Sequence, residues 1–138
     1  MNFKTCASRL TTISDNVEVQ LETLKQIGEW LYGCDACQDC CPNNKGKWKE
    51  EEDFPNLNFL SAFMDPKKIL EMTYEEIDKL LRPKFFYIKP PYLWRWKINA
   101  MNVLFNGSHK IDARMIKSLS SDENEFVRNF AYHISQNQ

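Results

Sequence analysis

Residues 92–106, YLWRWKINAMNVLFN, decide the fold class, because their apolar side chains recur at the spacing of one helix face. That face carries Ile98, Met101, Leu104 and Phe105. Gly107 then separates this helix from the next one. Further helical patterns surround the stretch, at about 14–33, 56–64, 66–72, 73–81, 110–120 and 122–136. No segment reads as a strand, so the sequence predicts an all-α fold.

Capping signals precede several of these helices. They are Asp15 with Glu18, Asp65 before Pro66, Thr73 with Glu76, and Ser120 with Glu123. Gly33 stands where a residue in the left-handed conformation would end the first helix. Short helices joined by tight turns suggest helix pairs that stack as in a solenoid.

The length of the chain favours a single domain, and its composition limits the classes of partner. A chain of 138 residues buries roughly two thirds of its unfolded surface on folding, so it needs no disulfides. Its net charge of -1 gives no overall attraction to nucleic acid or membrane. The start, MNFKTCASRL, has no apolar signal core, and no run approaches the roughly 20 apolar residues of a membrane span. We therefore expect a soluble, cytoplasmic protein whose cysteines bind metal or do redox work.

Four of the five cysteines lie in GCDACQDCCPNN, residues 33–44. Cys34, Cys37 and Cys40 form a C-x2-C-x2-C pattern, and Cys37 with Cys41 forms the C-x3-C-P ending of bacterial ferredoxin motifs. Such short loops suit a [4Fe-4S] cubane, because each thiolate must reach a different iron. Zinc is an alternative, as are unligated structural cysteines, although the sequence has only one true zinc knuckle.

The loop YGCDACQDCCPNN at 32–44, preceded by CASRLTTI at 6–13, resembles the second cysteine segment of epoxyqueuosine reductase. The resemblance runs on through the helical tail. That family reduces epoxyqueuosine to queuosine in tRNA, using a cobalamin and two [4Fe-4S] clusters, and its C-terminal region is HEAT-like. The resemblance therefore implies a cut-down ferredoxin-like iron–sulfur cysteine segment at 1–55, followed by a HEAT-like helical tail at 56–138.

The resemblance also implies a set of metal ligands. Cys6, Cys34 and Cys37 would bind one cluster, and Cys41 would reach the other. Cys40 replaces a residue that is usually aliphatic in the family, so it is a candidate substitute ligand. The cobalamin domain and the upstream cysteine segment have no counterpart in the sequence. We therefore expect cobalamin only from a missing domain or from a partner, such as a redox partner or a cobalamin-binding reductase subunit.

Basic and aromatic residues alternate between Arg82 and Lys97. Lys84, Lys89, Arg95 and Lys97 are candidate RNA contacts. Cations that follow phosphates and rings that stack on bases bind single-stranded or looped RNA, and tRNA is the substrate of the family. Packing of the aromatic residues inside the protein is the alternative. A second functional hypothesis is a non-catalytic helical module that binds RNA or protein and whose cysteines hold zinc or no metal.

Overall fold

The computed structural model describes residues 6–12, 21–47 and 57–137, and these ranges contain helices and turns but no strand. The helices are α1 (Ala7–Thr12), α2 (Leu21–Ile27), α3 (Ala36–Asp39), α4 (Leu57–Ser61), α5 (Pro66–Glu71), α6 (Tyr74–Leu80), α7 (Trp94–Asn106), α8 (Ala113–Leu119) and α9 (Glu125–Asn137). A short 3-10 helix, Pro90–Tyr92, precedes α7. The all-α prediction is confirmed. The ferredoxin-like and HEAT-like descriptions and the division at 55/56 stay predictions.

Helix α7 lies at the centre of the structure. It packs against α1, α2 and α5, which precede it in the chain, and against α9, which follows it. Ten of its 13 residues are buried, including Trp96 and Met101, which have no exposed surface. A helix buried around its whole circumference forms the core of a domain rather than a surface element. The apolar residues Ile98, Met101 and Leu104 are buried as expected, and the burial extends around the rest of the helix.

Two predicted helix starts are confirmed. Asp65 caps α5 by accepting a hydrogen bond from the backbone amide of Lys67 at 2.9 Å. Thr73 and Glu76 form the predicted capping box at α6. The amide of Thr73 donates to the Glu76 carboxylate at 2.8 Å, and the amide of Glu76 donates to the Thr73 hydroxyl at 3.2 Å. Each side chain thus satisfies an amide that the first helical turn leaves without a partner.

Two other helix ends differ from the prediction. Helix α2 ends at Ile27, because Gly28 adopts a φ of +69° and turns the chain six residues earlier than expected. Helix α9 is capped by Asn124, which accepts from the amide of Phe126 at 3.0 Å. Ser120 instead donates its hydroxyl hydrogen to the carbonyl of Ile116 at 2.8 Å. Asp15 and Glu18 lie outside the described residues.

Beside α7 lies a charged network. Lys97 donates to the carboxylate of Asp122 at 2.8 Å, and the hydroxyl of Tyr74 donates to the other oxygen of that carboxylate at 2.6 Å. The network links α6, α7 and the turn before α9. Within the parts of the chain that the structure describes, no helix has the length and apolar character to cross a membrane.

Candidate iron–sulfur site

A cavity of about 590 Å³ lies where the start of α1, the loop after α2 and the loop before α7 meet. We call it the cysteine pocket. Its lining residues are Cys6, Ser8, Arg9, Thr12, Trp30, Tyr32, Gly33, Cys34, Asp35 and Tyr87. Two cysteines from distant parts of the sequence therefore face one space. This convergence is the arrangement that a shared inorganic centre requires.

The remaining cysteines follow in and after the single turn of α3. Cys37 and Cys40 are exposed, whereas Cys41, like Cys6 and Cys34, is half-buried. The thiol of Cys40 points towards the carbonyl of Cys37, at 3.6 Å. All five cysteines are free thiols. Within residues 6–12, 21–47 and 57–137, no three His, Cys, Asp or Glu side chains are gathered closely enough to hold one metal ion.

Local hydrogen bonds give the cysteine loop its shape. Gly33 has a φ of +70°, a conformation that glycine adopts without strain, and it redirects the chain before Cys34. The carbonyl of Asp35 then accepts from the amides of Gln38 at 2.7 Å and Asp39 at 3.0 Å. Asn44 closes the loop by donating to the side chain of Gln38 at 2.9 Å. The loop is thus a folded turn held by its own polar groups.

Aromatic side chains form one wall of the cysteine pocket. Tyr32 stacks on Trp96 with ring centroids 5.2 Å apart and meets Phe85 edge-on at 4.9 Å. Burial raises the pKa of the Tyr32 phenol, so this group stays neutral. Trp30 and Tyr87, which also line the cavity, are 41% and 62% exposed, so this wall extends to the protein surface.

The predicted RNA contacts divide into two groups. Lys84 and Lys89 are exposed, on the loop that contributes Tyr87 to the cysteine pocket. Arg95 and Lys97 belong to the buried helix α7, where they are 1% and 8% exposed. The Arg95 guanidinium stacks over the ring of Trp94 at 4.4 Å, and Lys97 pairs with Asp122. In this fold, neither of these two cations faces solvent where a phosphate would approach.

Two polar residues that the sequence analysis did not select connect the cysteine-bearing segments. Thr11 in α1 and Asn99 in α7 are 1% and 2% exposed, and both hydrogen-bond to the chain around Gly33. A signal existed in the sequence, since Asn99, Asn102 and Asn106 recur at helical spacing in an otherwise apolar helix. Polar residues inside such a helix are expected to have buried partners.

The cysteine pocket has donor groups of the chemistry that a [4Fe-4S] cluster takes. Thiolates are the ligands that such clusters take, and two of them line the cavity while three more follow within seven residues of Cys34. The aromatic side chains of Trp30, Tyr32 and Tyr87 line part of the same space. Gathering a third ligand requires the exposed Cys37 or one of its neighbours to turn inward.

Comparisons with known proteins identify relatives of this chain. No protein-family model matches the chain. Among curated proteins, the epoxyqueuosine reductase of Staphylococcus aureus is 29% identical over an alignment that covers 96% of this chain and 34% of that protein. The epoxyqueuosine reductase of Bacillus subtilis is 45% identical over 47 residues, which are 34% of this chain and 12% of the relative.

A solved structure of the Bacillus subtilis epoxyqueuosine reductase is similar over 91% of this chain and 33% of its own, with a TM-score of 0.59 and 26% identity. The chain therefore spans about a third of the length of that enzyme, or less in the shorter matches. The resemblance read from the cysteine loop is confirmed, and the chain is related in sequence and in fold to epoxyqueuosine reductase.

Proposed function

We propose that the chain binds a [4Fe-4S] cluster and transfers single electrons as the iron–sulfur part of a reductase related to epoxyqueuosine reductase. The observation that supports this most directly is the meeting of Cys6 and Cys34 at one cavity. The relatives named epoxyqueuosine reductase supply the reaction class, an oxidoreductase of tRNA modification.

Cys6, Cys34 and Cys37 are the proposed first three ligands, and Cys41 or Cys40 is the fourth. Cys41 is the stronger candidate, because its side chain is half-buried and the thiol of Cys40 points towards the Cys37 carbonyl instead. When bound, the cluster supplies a one-electron redox couple. The chain's own contribution is to hold the thiolates, to exclude water with the wall around Tyr32, and to set the local polarity.

The remaining architecture is part of the same proposal. The segment before residue 56 acts as a cut-down ferredoxin-like unit, and the helices after it form a HEAT-like tail. Cobalamin, where the reaction uses it, comes from a further domain or from a reductase partner. The protein works in the cytoplasm, where reducing conditions keep its thiols free.

Anaerobic reconstitution with iron and sulfide tests the cluster. We expect a brown protein whose visible absorption bleaches with dithionite and whose iron and sulfide are stoichiometric. Cys41→Ser should lose cluster, whereas the adjacent Cys40→Ser is the matched control and should keep it. The reverse result would make Cys40 the fourth ligand. A colourless protein with one tightly bound zinc per chain would reject the proposal in favour of a non-catalytic zinc module.

We further propose that tRNA contacts the loop before α7. Phe86 and Tyr87 are 65% and 62% exposed, and their rings lie 4.7 Å apart between the exposed Lys84 and Lys89. Exposed rings flanked by cations provide stacking surfaces and phosphate contacts in one short segment. Tyr87 also lines the cysteine pocket, so a base bound there would lie beside the proposed cluster.

Titration with unmodified tRNA at several salt concentrations tests this contact. The double variant Lys84→Glu, Lys89→Glu should weaken binding and flatten the salt dependence, because two phosphate contacts are lost. The double variant Arg114→Glu, Lys117→Glu is the control, since it places the same charge change on α8, away from the cysteine pocket. Equal effects of the double variant and of two control charges on α8 would reject a specific surface.

A further inference from the structure

Buried side chains connect the two segments that carry Cys6 and Cys34. The amide nitrogen of Asn99 donates to the carbonyl of Thr11 at 2.8 Å and to the carbonyl of Leu31 at 3.0 Å. The first acceptor lies in the last turn of α1, and the second lies two residues before Gly33. A side-chain amide has two hydrogens, so Asn99 uses both of them to join separate pieces of chain.

Thr11 adds a third connection. Its hydroxyl oxygen accepts from the backbone amide of Gly33 at 3.0 Å and donates back to the carbonyl of Ala7 at 2.9 Å. The carbonyl of Cys6 in turn accepts from the amide of Leu10 at 3.0 Å, which ties Cys6 to the start of α1. Cys6 is thus linked to α1, α1 to Gly33, and Gly33 is covalently bonded to Cys34.

These connections are strong in this setting, because both side chains are excluded from water. Thr11 is 1% and Asn99 is 2% exposed, so any broken hydrogen bond leaves a buried polar group without a partner. Asn99 also sits in α7, the helix with the most extensive burial in the described chain. The rigid core therefore holds both cysteine-bearing segments at one point.

We infer that Asn99, acting with Thr11, is a positioning residue that presents the Cys6 and Cys34 thiols to the same cavity before any cofactor binds. This inference rests on the proposed function for its purpose, but its geometry does not depend on a cluster. Preorganised ligands lower the ordering cost of metal binding, because the thiols do not have to be collected from a mobile chain.

Asn106 supplies a matched control in the same helix. Its side-chain amide donates to the carbonyl of Gly28 at 2.9 Å and to that of Leu24 at 3.3 Å. Asn106 therefore attaches α7 to the end of α2 alone and does not reach the segment of Cys6. Replacing Asn99 or Asn106 by Ala removes the same kind of bond from the same helix, but only Asn99→Ala uncouples the two cysteine segments.

Thiol crosslinking in cluster-free protein measures the coupling directly. In the full chain with Cys37, Cys40 and Cys41 replaced by Ser, a short bis-maleimide should join Cys6 to Cys34. We expect Asn99→Ala to slow this crosslink by about tenfold relative to single-thiol labelling, as the loss of two buried hydrogen bonds implies. Asn106→Ala should leave the ratio of the crosslinking rate to the single-thiol labelling rate unchanged. An unchanged ratio in Asn99→Ala would overturn the inference.

Substitutions at Thr11 keep the test decisive if Asn99→Ala does not fold. Thr11→Val preserves the shape but removes the hydroxyl that accepts from Gly33, so crosslinking should fall several-fold. Thr11→Ser restores the hydroxyl and should restore the rate. Equal rates for Val and Ser at this position would refute the positioning role.

The two proposals fail in different ways. If the crosslinking variants behave as expected but the chain with all five cysteines takes up no iron and sulfide, the positioning role stands and the cluster proposal fails. If the chain with all five cysteines takes up a cluster but Asn99→Ala in the crosslinking background reacts as fast as that background, the cluster proposal stands and the positioning role fails.

Discussion

Removal of the Asp122 carboxylate should destabilise the protein more than any other single change in the charged network beside α7. Asp122 accepts from Lys97 at 2.8 Å, from the Tyr74 hydroxyl at 2.6 Å and from the amide of Asn124 at 2.9 Å. The Lys97 and Asp122 side chains are only 11% and 5% exposed. In Asp122→Ala the buried ammonium would lose its counter-ion, and two further donors would lose their acceptor.

The structure predicts that three substitutions in this network lower the free energy of unfolding by different amounts. Breaking a buried ion pair by removing one partner costs about 3–5 kcal/mol, and we expect Asp122→Ala to fall in this range. Lys97→Met should cost less, about 1–3 kcal/mol, because the carboxylate keeps its bonds to Tyr74 and Asn124. Tyr74→Phe should cost about 1–2 kcal/mol, since it removes one hydrogen bond to a charged acceptor.

Urea unfolding of the three variants, followed by circular dichroism at neutral pH, measures these free energies of unfolding. Asp112→Ala is the control, because Asp112 also accepts a hydrogen bond from a backbone amide but lies exposed at the start of α8. The control should lose clearly less stability than Asp122→Ala. Equal losses for Lys97→Met and Asp122→Ala, or for Asp112→Ala and Asp122→Ala, would refute the reasoning that the carboxylate is the centre of the network.

The same carboxylate predicts a pH dependence. Burial alone would raise the pKa of Asp122, but hydrogen bonds from Lys97, Tyr74 and the Asn124 amide outweigh it and lower that pKa in the folded protein. The unfolded chain therefore binds a proton at a higher pH than the folded chain does. The stabilisation is fully present above the ordinary pKa of aspartate and is lost as the pH falls through the lowered value. The stability difference from Asp122→Asn should shrink in the same acidic range, and a difference that does not change with pH would contradict the assignment.

Three further predictions concern the core and the cysteine loop. Trp96→Ala should cost about 3–5 kcal/mol in urea unfolding because its ring is fully buried, whereas Tyr132→Ala, at a residue 65% exposed, should change stability little. Gly33→Ala should cost about 1–2 kcal/mol and Gly33→Asn less, since a φ of +70° strains alanine more than asparagine; equal costs would argue against this explanation. Asn44→Ala should speed hydrogen exchange in the cysteine loop, because the bonds to Gln38 at 2.9 and 3.2 Å are lost, and unchanged exchange would show that the backbone turn suffices.

Local signals were sufficient for the helices that carry their own caps. Asp65 and the Thr73–Glu76 pair lie within three residues of the amides they satisfy, so the sequence alone placed α5 and α6 correctly. The end of α2 shows the limit of such signals. Gly28 and Gly33 both adopt positive φ, and only the packed structure decides which of them stops the helix.

The sequence by itself determined that the protein is helical and that four of its five cysteines lie in one short loop, because helix caps and residue spacing are local features. The tertiary structure placed Cys6 and Cys34, which the family resemblance had assigned to one cluster, along one cavity, and it alone decided that Arg95 and Lys97 are enclosed by the core. The same holds for Asn99, whose acceptors lie 68 and 88 positions away along the chain. Contacts of that range depend on how the helices pack, and no local pattern of residue types encodes which distant carbonyl a buried amide will meet.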